Sequence, residues 1–390
     1  MPVELSLRYG ANPHQQPARV YVESDSLPFS VRNGRPGYIN LLDALNAWQL
    51  VRELRSALSL PAAASFKHVS PAGAAVSIPL SEAERVACAV EDMELSPLAA
   101  AYARARGADR MSSFGDWVAL SDPCDLSTAE ILRREVSDGI IAPGYEPGAL
   151  DILCQKRGGS YCVLEIDPQY APEEIERRTV FGVTLEQRRN DARITPDTFA
   201  NIVSMNREMP EEGLRDLIVA TITLKYTQSN SVCLAHHGQV TGNGAGQQSR
   251  VHCTRLAADK SDLWFLRQHP VIQEFHFARG LSRADRNNAI DLYFAEALSP
   301  AEERAWEASF QKVPTRLDHA ERRAWLNELR GVALSSDAYF PFRDSIDRAS
   351  RSGVSCVAHP GGSKRDQDVI GACDEYHMVM AQTGLRLFHH

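Results

Sequence analysis

Ala62-Ala63-Ala64-Ser65-Phe66-Lys67-His68-Val69-Ser70-Pro71-Ala72-Gly73-Ala74 carries an apolar run into a polar break. Ala62 to Val69 reads as a short buried strand, and Ser70-Pro71-Ala72-Gly73 as the turn that ends it. A buried strand needs helices on its faces, and the preceding sequence supplies one. Asn40 opens a helix with Asp43 at its third position. Leu41, Leu42, Leu45, Trp48, Val51, Leu54 and Leu58 then recur at three- and four-residue spacing. Helix beside buried strand is the unit of an α/β protein.

The alternation continues outward. Ser81 with Glu84 forms a capping box. Ser96-Pro97 starts a helix that Gly107 ends. Trp117 to Leu120, Gly139 to Ala142 and Tyr161 to Ile166 read as buried strands. Pro210-Glu211-Glu212 favours a helix over Leu214 to Lys225. Val232 to Gly242 reads as a hairpin around His237-Gly238. Ser299-Pro300 with Glu302 caps a charged helical region that reaches about Arg330. Strand Val354 to Ala358, a Pro-Gly-Gly turn, helix Asp366 to Glu375 and strand Met378 to Ala381 close the chain. Similar strand-to-helix units at both ends suit two lobes, over residues 1–172 and 173–390, with a helical region at about 255–330 in the second.

Composition narrows the function. The formal net charge of −8 argues against a general nucleic-acid binder, which needs a basic excess. It leaves room for a small anion held by a few arginines. No apolar run approaches bilayer length, and Met-Pro-Val-Glu-Leu is no signal peptide, so no membrane partner and a cytoplasmic location are expected. None of the eight cysteines forms a C-x-x-C pair, so they read as reduced thiols and no metal is expected. The pairs His236-His237 and His389-His390 do not change this, because neighbours on a strand face opposite ways.

Lys67-His68 sits where the strand breaks. Histidine can take a proton near neutral pH, and a neighbouring lysine can stabilise an oxyanion. Alone, such a pair is more commonly structural. Arg8-Tyr9-Gly10 with Asn12-Pro13-His14-Gln15 offers a planar fork and a hydroxyl for phosphate. Thr241-Gly242-Asn243-Gly244-Ala245-Gly246-Gln247-Gln248-Ser249-Arg250 is glycine-rich, but it fits neither a Walker A motif nor the dinucleotide fingerprint. A hairpin turn explains it equally well. Ser335 to Asp344 combines Tyr339, Phe340, Pro341 and Phe342 with charge, a wall for a flat aromatic ligand.

Together with Met111-Ser112-Ser113-Phe114-Gly115-Asp116, Ser137 to Tyr145, Lys225 to Asn230, Gly244 to Arg255 and Leu385-Arg386-Leu387-Phe388-His389-His390, these segments resemble the transformylase part of the AICAR transformylase/IMP cyclohydrolase family, nearly end to end and in family order. The resemblance implies formyl transfer from 10-formyltetrahydrofolate, the co-substrate, to the 5-amino group of AICAR. It implies a fold of duplicated cytidine-deaminase-like three-layer units with a helical insert, and a homodimer with active sites at the interface. Lys67 and His68 become the catalytic pair. Arg8, Tyr9, Gly115, Asp138, Asn230, Arg250, Tyr339 and Arg386 become AICAR contacts. Met111, Phe114, Val251, Pro341, Phe342, Asp344, Ser363 and Lys364 fall on the folate side, and a potassium ion near Lys225 to Ser231 is a family-based expectation. Tyr339 departs from the phenylalanine of the family.

The family also carries an N-terminal cyclohydrolase domain. This sequence starts close to Arg8, so no cyclohydrolase activity is expected, and a separate cyclohydrolase becomes an expected partner. A zinc deaminase would need H-x-E or C-x-E followed by P-C-x-x-C, and neither is present. A silent nucleotide-binding or regulatory protein and an ATP- and formate-dependent ligase remain the alternatives, the latter without a Walker A motif.

Overall fold

The computed structural model describes residues 3–22 and 26–390. Its first half runs α1 (Tyr38–Leu58), β1 (Ala62–Lys67), β2 (Ser70–Val76), α2 (Pro97–Gly107), β3 (Asp116–Leu120), α3 (Leu126–Arg134), β4 (Ser137–Ala142), α4 (Pro147–Gln155) and β5 (Cys162–Ile166). The second half repeats the series: α5 (Glu211–Leu224), β6 (Val232–His236), β7 (Gln239–Gly244), α6 (Arg250–Leu266), β8 (Val332–Ser336), α7 (Asp344–Ala349), β9 (Val354–His359), α8 (Asp366–Glu375) and β10 (Val379–Gln382).

All ten strands, with an edge strand Phe29–Asn33, form one 11-stranded sheet. Each half contributes an antiparallel hairpin, then a strand antiparallel to its first member, then two parallel strands. The halves join where β7 meets β2, at Gln239 and Ala75. The fold is α/β, and its element order is duplicated. The expected break at 172/173 falls just before an exposed two-stranded hairpin, Ile175–Val180 with Val183–Arg188. Among the described residues no helix is long and apolar enough to cross a membrane.

Local signals behave as read at several helix starts. Ser81 Oγ accepts from Glu84 N at 3.3 Å while Glu84 accepts from Ser81 N at 2.7 Å. Ser96 caps α2 with Pro97 at its first position. Other readings need correction. The first helix begins at Tyr38, so Asn40 lies inside it and accepts from Gly37 N at 2.9 Å. Asp43 is then no cap but a buried side chain. Thr241 to Gly244 is strand β7, not loop. A Cβ on Gly242 would lie 1.9 Å from the Ala257 carbonyl oxygen, and one on Gly244 2.1 Å from that of Cys253. Glycine here lets α6 lie directly on the strand.

The helical region between α6 and β8 has its own apolar cluster of Ile272, Phe275, Tyr293, Phe294, Trp306 and Phe310. It also holds a short ribbon, His276–Phe277 with Phe310–Lys312. Its first expected residues, from 255, belong instead to α6.

Candidate active site

Lys67 pairs with Ser70 across the first hairpin, so the connecting turn is His68-Val69 and not Ser70 to Gly73. Both turn residues have positive φ, 54° and 58°. Such a two-residue turn normally takes Asn-Gly, and a β-branched residue there is a genuine outlier. Strain of this kind costs about 1–3 kcal/mol per residue and persists only where the surroundings impose it. Asp43 does so, reaching from α1 to accept Val69 N at 2.6 Å. Burial raises the Asp43 pKa above the usual carboxylate value, opposed by the Val69 N–H and by His68.

Asp43→Asn is expected to loosen this turn. Asparagine keeps an acceptor for Val69 N but loses the charge, and a hydrogen bond to a charged group is stronger than a neutral one by about 1–1.5 kcal/mol, so the fold should lose about that much stability. The urea midpoint of the variant beside that of the wild type checks this loss.

Around the turn stands a first cluster. Lys67 Nζ donates to the Phe114 carbonyl at 2.5 Å, which fixes the 111–115 loop beside it. Ser65 and Ser113 hydroxyls meet at 2.8 Å beneath. Gly115 has φ 74°, and a side chain there would meet nothing within 4 Å. Met111, Phe114 and His68 are exposed. Asp138, on β4, lies close enough to act on Asp43 but pairs with Arg157 at 2.8 Å.

A second cluster forms on the other half. Arg250, at the start of α6, donates to Asn230 Oδ1 at 3.0 Å and Asp337 Oδ1 at 2.8 Å from Nη2, and to Ser336 Oγ at 3.0 Å from Nε. Val251 follows it on the helix, half-buried. Asp337 Oδ2 accepts from Ser229 Oγ at 2.7 Å and Ser231 N at 2.9 Å. Burial raises the Asp337 pKa, opposed by Arg250. The chain end is tied in: Leu387 N donates to the Asp337 carbonyl at 2.9 Å and His389 N to Ser229 Oγ at 3.0 Å. This places Arg386 at the rim, its guanidinium 4.8 Å from the Phe388 ring.

Tyr339 and Phe342 are exposed, and Arg365 lies over the Phe342 ring at 5.1 Å. Pro341 and Asp344 flank that ring in sequence, and Asp344 opens α7. Ser363 and Lys364 follow β9 in a turn held by Asp366, which accepts Gly362 N at 2.7 Å and Ser363 N at 3.2 Å. The two clusters meet through Gln228 N, which donates to Ser70 Oγ at 3.3 Å, and Asn243, which donates to the Pro71 carbonyl at 2.9 Å.

Some expected contacts are not brought in. Arg8 lies over Tyr9 at 5.8 Å, and no hydrogen bond or ion pair among the described residues joins either to the two clusters. Lys225 Nζ turns away to Glu53 at 2.9 Å and the Ala192 carbonyl at 2.8 Å. The opposite-faces reading of His236-His237 also fails. His237 sits in the turn at φ 50°, and the rings stack 3.9 Å apart.

The sequence reading missed Asp43 and gave Asp337 no role. The available signal was a carboxylate on the apolar face of α1. It also missed His359, at the end of β9, buried against Phe340 with ring centroids 5.6 Å apart. Neither His359 nitrogen has a partner, nor does Asp366 Oδ1 nearby. Burial pulls the His359 pKa down to about 4. The unfolded chain therefore binds a proton that the folded one refuses between about pH 6.5 and 4. Stability from this group is present above that window and lost as pH falls through it, at up to about 1.4 kcal/mol per pH unit. His359→Gln should flatten the acid side of a urea-midpoint profile. An unchanged slope would place the titration elsewhere, first at His236, also lowered to about 4 by burial.

The profile of the family described as AICARFT/IMPCHase bienzyme matches residues 2–260. The chain belongs to this family. It is similar to the bifunctional purine biosynthesis protein PurH of Magnetococcus marinus, 30% identical over 392 residues, covering 98% of this chain and 59% of that protein. The PurH of Myxococcus xanthus is 29% identical over 396 residues, covering 98% and 60%. The chain thus spans about three fifths of the length of these family relatives.

Proposed function

We propose that this chain transfers the formyl group of 10-formyltetrahydrofolate to the 5-amino group of AICAR, giving FAICAR and tetrahydrofolate in purine biosynthesis. The observation that carries the reading is the His68-Val69 turn, held in a strained form by Asp43 with Lys67 fixed beside it. The family membership and the bifunctional relatives support the purine role.

In this reading the AICAR nitrogen attacks the formyl carbon while His68 takes its proton. Negative charge gathers on the formyl oxygen. Lys67 uses one ammonium hydrogen on Phe114 and keeps two for that oxygen. The bond from the formyl carbon to N10 then breaks, and His68 returns the proton to N10. The second cluster orients the two substrates, which removes much of the entropic barrier. Arg8, Tyr9, Gly115, Asp138, Asn230, Arg250, Tyr339 and Arg386 are proposed for AICAR. Met111, Phe114, Val251, Pro341, Phe342, Asp344, Ser363 and Lys364 are proposed for the folate. Ser231 Oγ is buried without a hydrogen-bond partner beside Asp337, an oxygen set that suits a hard cation such as potassium, which would offset the Asp337 charge.

The reading includes a cytoplasmic homodimer with shared sites. The shared sites rest on the family resemblance, in which a second copy completes each site. The exposed Val180, Phe181, Val183 and Leu185 of the hairpin offer apolar surface for that contact. Ring closure to IMP falls to a cyclohydrolase on whichever chain carries one.

The test is tetrahydrofolate release from 10-formyltetrahydrofolate with and without AICAR, run beside light scattering. AICAR-dependent release by a dimer supports the reading. AICAR binding without release favours a silent binder, unless ATP with formate yields FAICAR, which favours a ligase. A fully active monomer overturns the shared site.

A further inference from the structure

A cavity of about 600 Å³ opens between the outer face of α1 and the segment that follows the exposed hairpin. Arg52, Glu53, Arg189, Arg193, Lys225 and Tyr226 are in its wall, and none of the residues proposed for AICAR or folate is. Its size suits a small ligand. Its charge is the telling feature, in a chain whose net charge is −8.

The two acids in the wall are already engaged. Glu53 Oε2 accepts from Lys225 Nζ at 2.9 Å and from Tyr226 OH at 2.8 Å. Asp191 is held by Arg188 at 2.6 Å. Three guanidinium groups of the wall, those of Arg52, Arg189 and Arg193, stand outside any ion pair among the described residues, although Arg189 is near enough to act on Asp191. Arg52 donates to the Tyr170 carbonyl at 2.8 Å, which positions it without neutralising it. Arg189 and Arg193 form no ion pair among the described residues. Arg189 Nε is buried without a hydrogen-bond partner. A buried donor left unpaired is costly, and a planar fork matches carboxylate or phosphate oxygens. Glu53 Oε1 is also buried and unpartnered, an acceptor for a hydroxyl or protonated oxygen of the same ligand.

We propose that this cavity binds a small polyanion with clustered phosphate or carboxylate groups, through Arg52, Arg189 and Arg193, separately from the two reacting substrates. The inference does not rest on the proposed reaction, because it is read by binding alone.

Calorimetric titration of the full chain with tripolyphosphate, and separately with citrate, tests it and distinguishes the two chemistries. The expected result is saturable binding of at least one probe. Its affinity falls about tenfold or more in the Arg189→Gln, Arg193→Gln double variant and is kept in Arg386→Gln. Arg193 is exposed and Arg189 half-exposed, so the double variant is expected to fold, which its thermal melt verifies. No saturable binding of either probe overturns the proposal. So does binding that survives in a folded double variant or is lost with Arg386→Gln.

Discussion

His68→Ala is expected to lower AICAR-dependent tetrahydrofolate release by about 10²–10⁴-fold, the usual contribution of a general base, or about 2.7–5.5 kcal/mol of barrier. The structure makes this a clean deletion. The imidazole is exposed and forms no side-chain hydrogen bond among the described residues, while the bonds to Asp43 come from the backbone at Val69 and His68, which the substitution leaves in place. Lys67 keeps its contact with Phe114 in the variant. Alanine is less at ease than histidine at φ 54°, but the Asp43 bond to Val69 N is kept, so the turn should persist. AICAR affinity by calorimetry should therefore move less than threefold while turnover collapses. His68→Gln should lose as much, because glutamine keeps a hydrogen-bonding tip but accepts no proton. Turnover within a few-fold of wild type in either variant would remove His68 as the base.

What the sequence made legible was local. Ser81-Glu84 and Ser96-Pro97 mark their helices because capping is decided within four residues. The His237-Gly238 turn was readable because glycine tolerates positive φ. The His68-Val69 turn was not, because its strain is held by Asp43 on another element. Yet the two turns are counterparts in the duplicated halves. Asp216, on α5, accepts His237 N at 2.8 Å and Gly238 N at 2.7 Å, as Asp43 on α1 accepts Val69 N. One half keeps the easy residue at the second turn position, and the other carries valine beside its Lys-His pair. Gly242 and Gly244 misled for a similar reason. Their two-residue spacing places both on one strand face, under a helix whose approach no local window reveals. The β2–β7 seam that joins the halves is likewise a long-range pairing.

Asp337→Ala is expected to cost about 3–5 kcal/mol of stability, because it leaves the buried Arg250 guanidinium without its counter-charge. The loss is not confined to that pair. Ser229 Oγ and Ser231 N lose their acceptor, and with them the anchors of Asn230 and of the chain end at His389. Asp337→Asn separates charge from shape. The raised Asp337 pKa means that burial outweighs the attraction of Arg250, so a neutral side chain of equal size should be tolerated better than a cavity. Urea midpoints should therefore rank wild type above Asn above Ala. AICAR affinity should drop in both variants, since Asn230 and Arg250 are no longer held in register. Stability of Asp337→Ala within about 1 kcal/mol of wild type would show that Asn230 and Ser336 suffice to hold Arg250. The second cluster would then be organised by neutral hydrogen bonds and not by this buried charge pair.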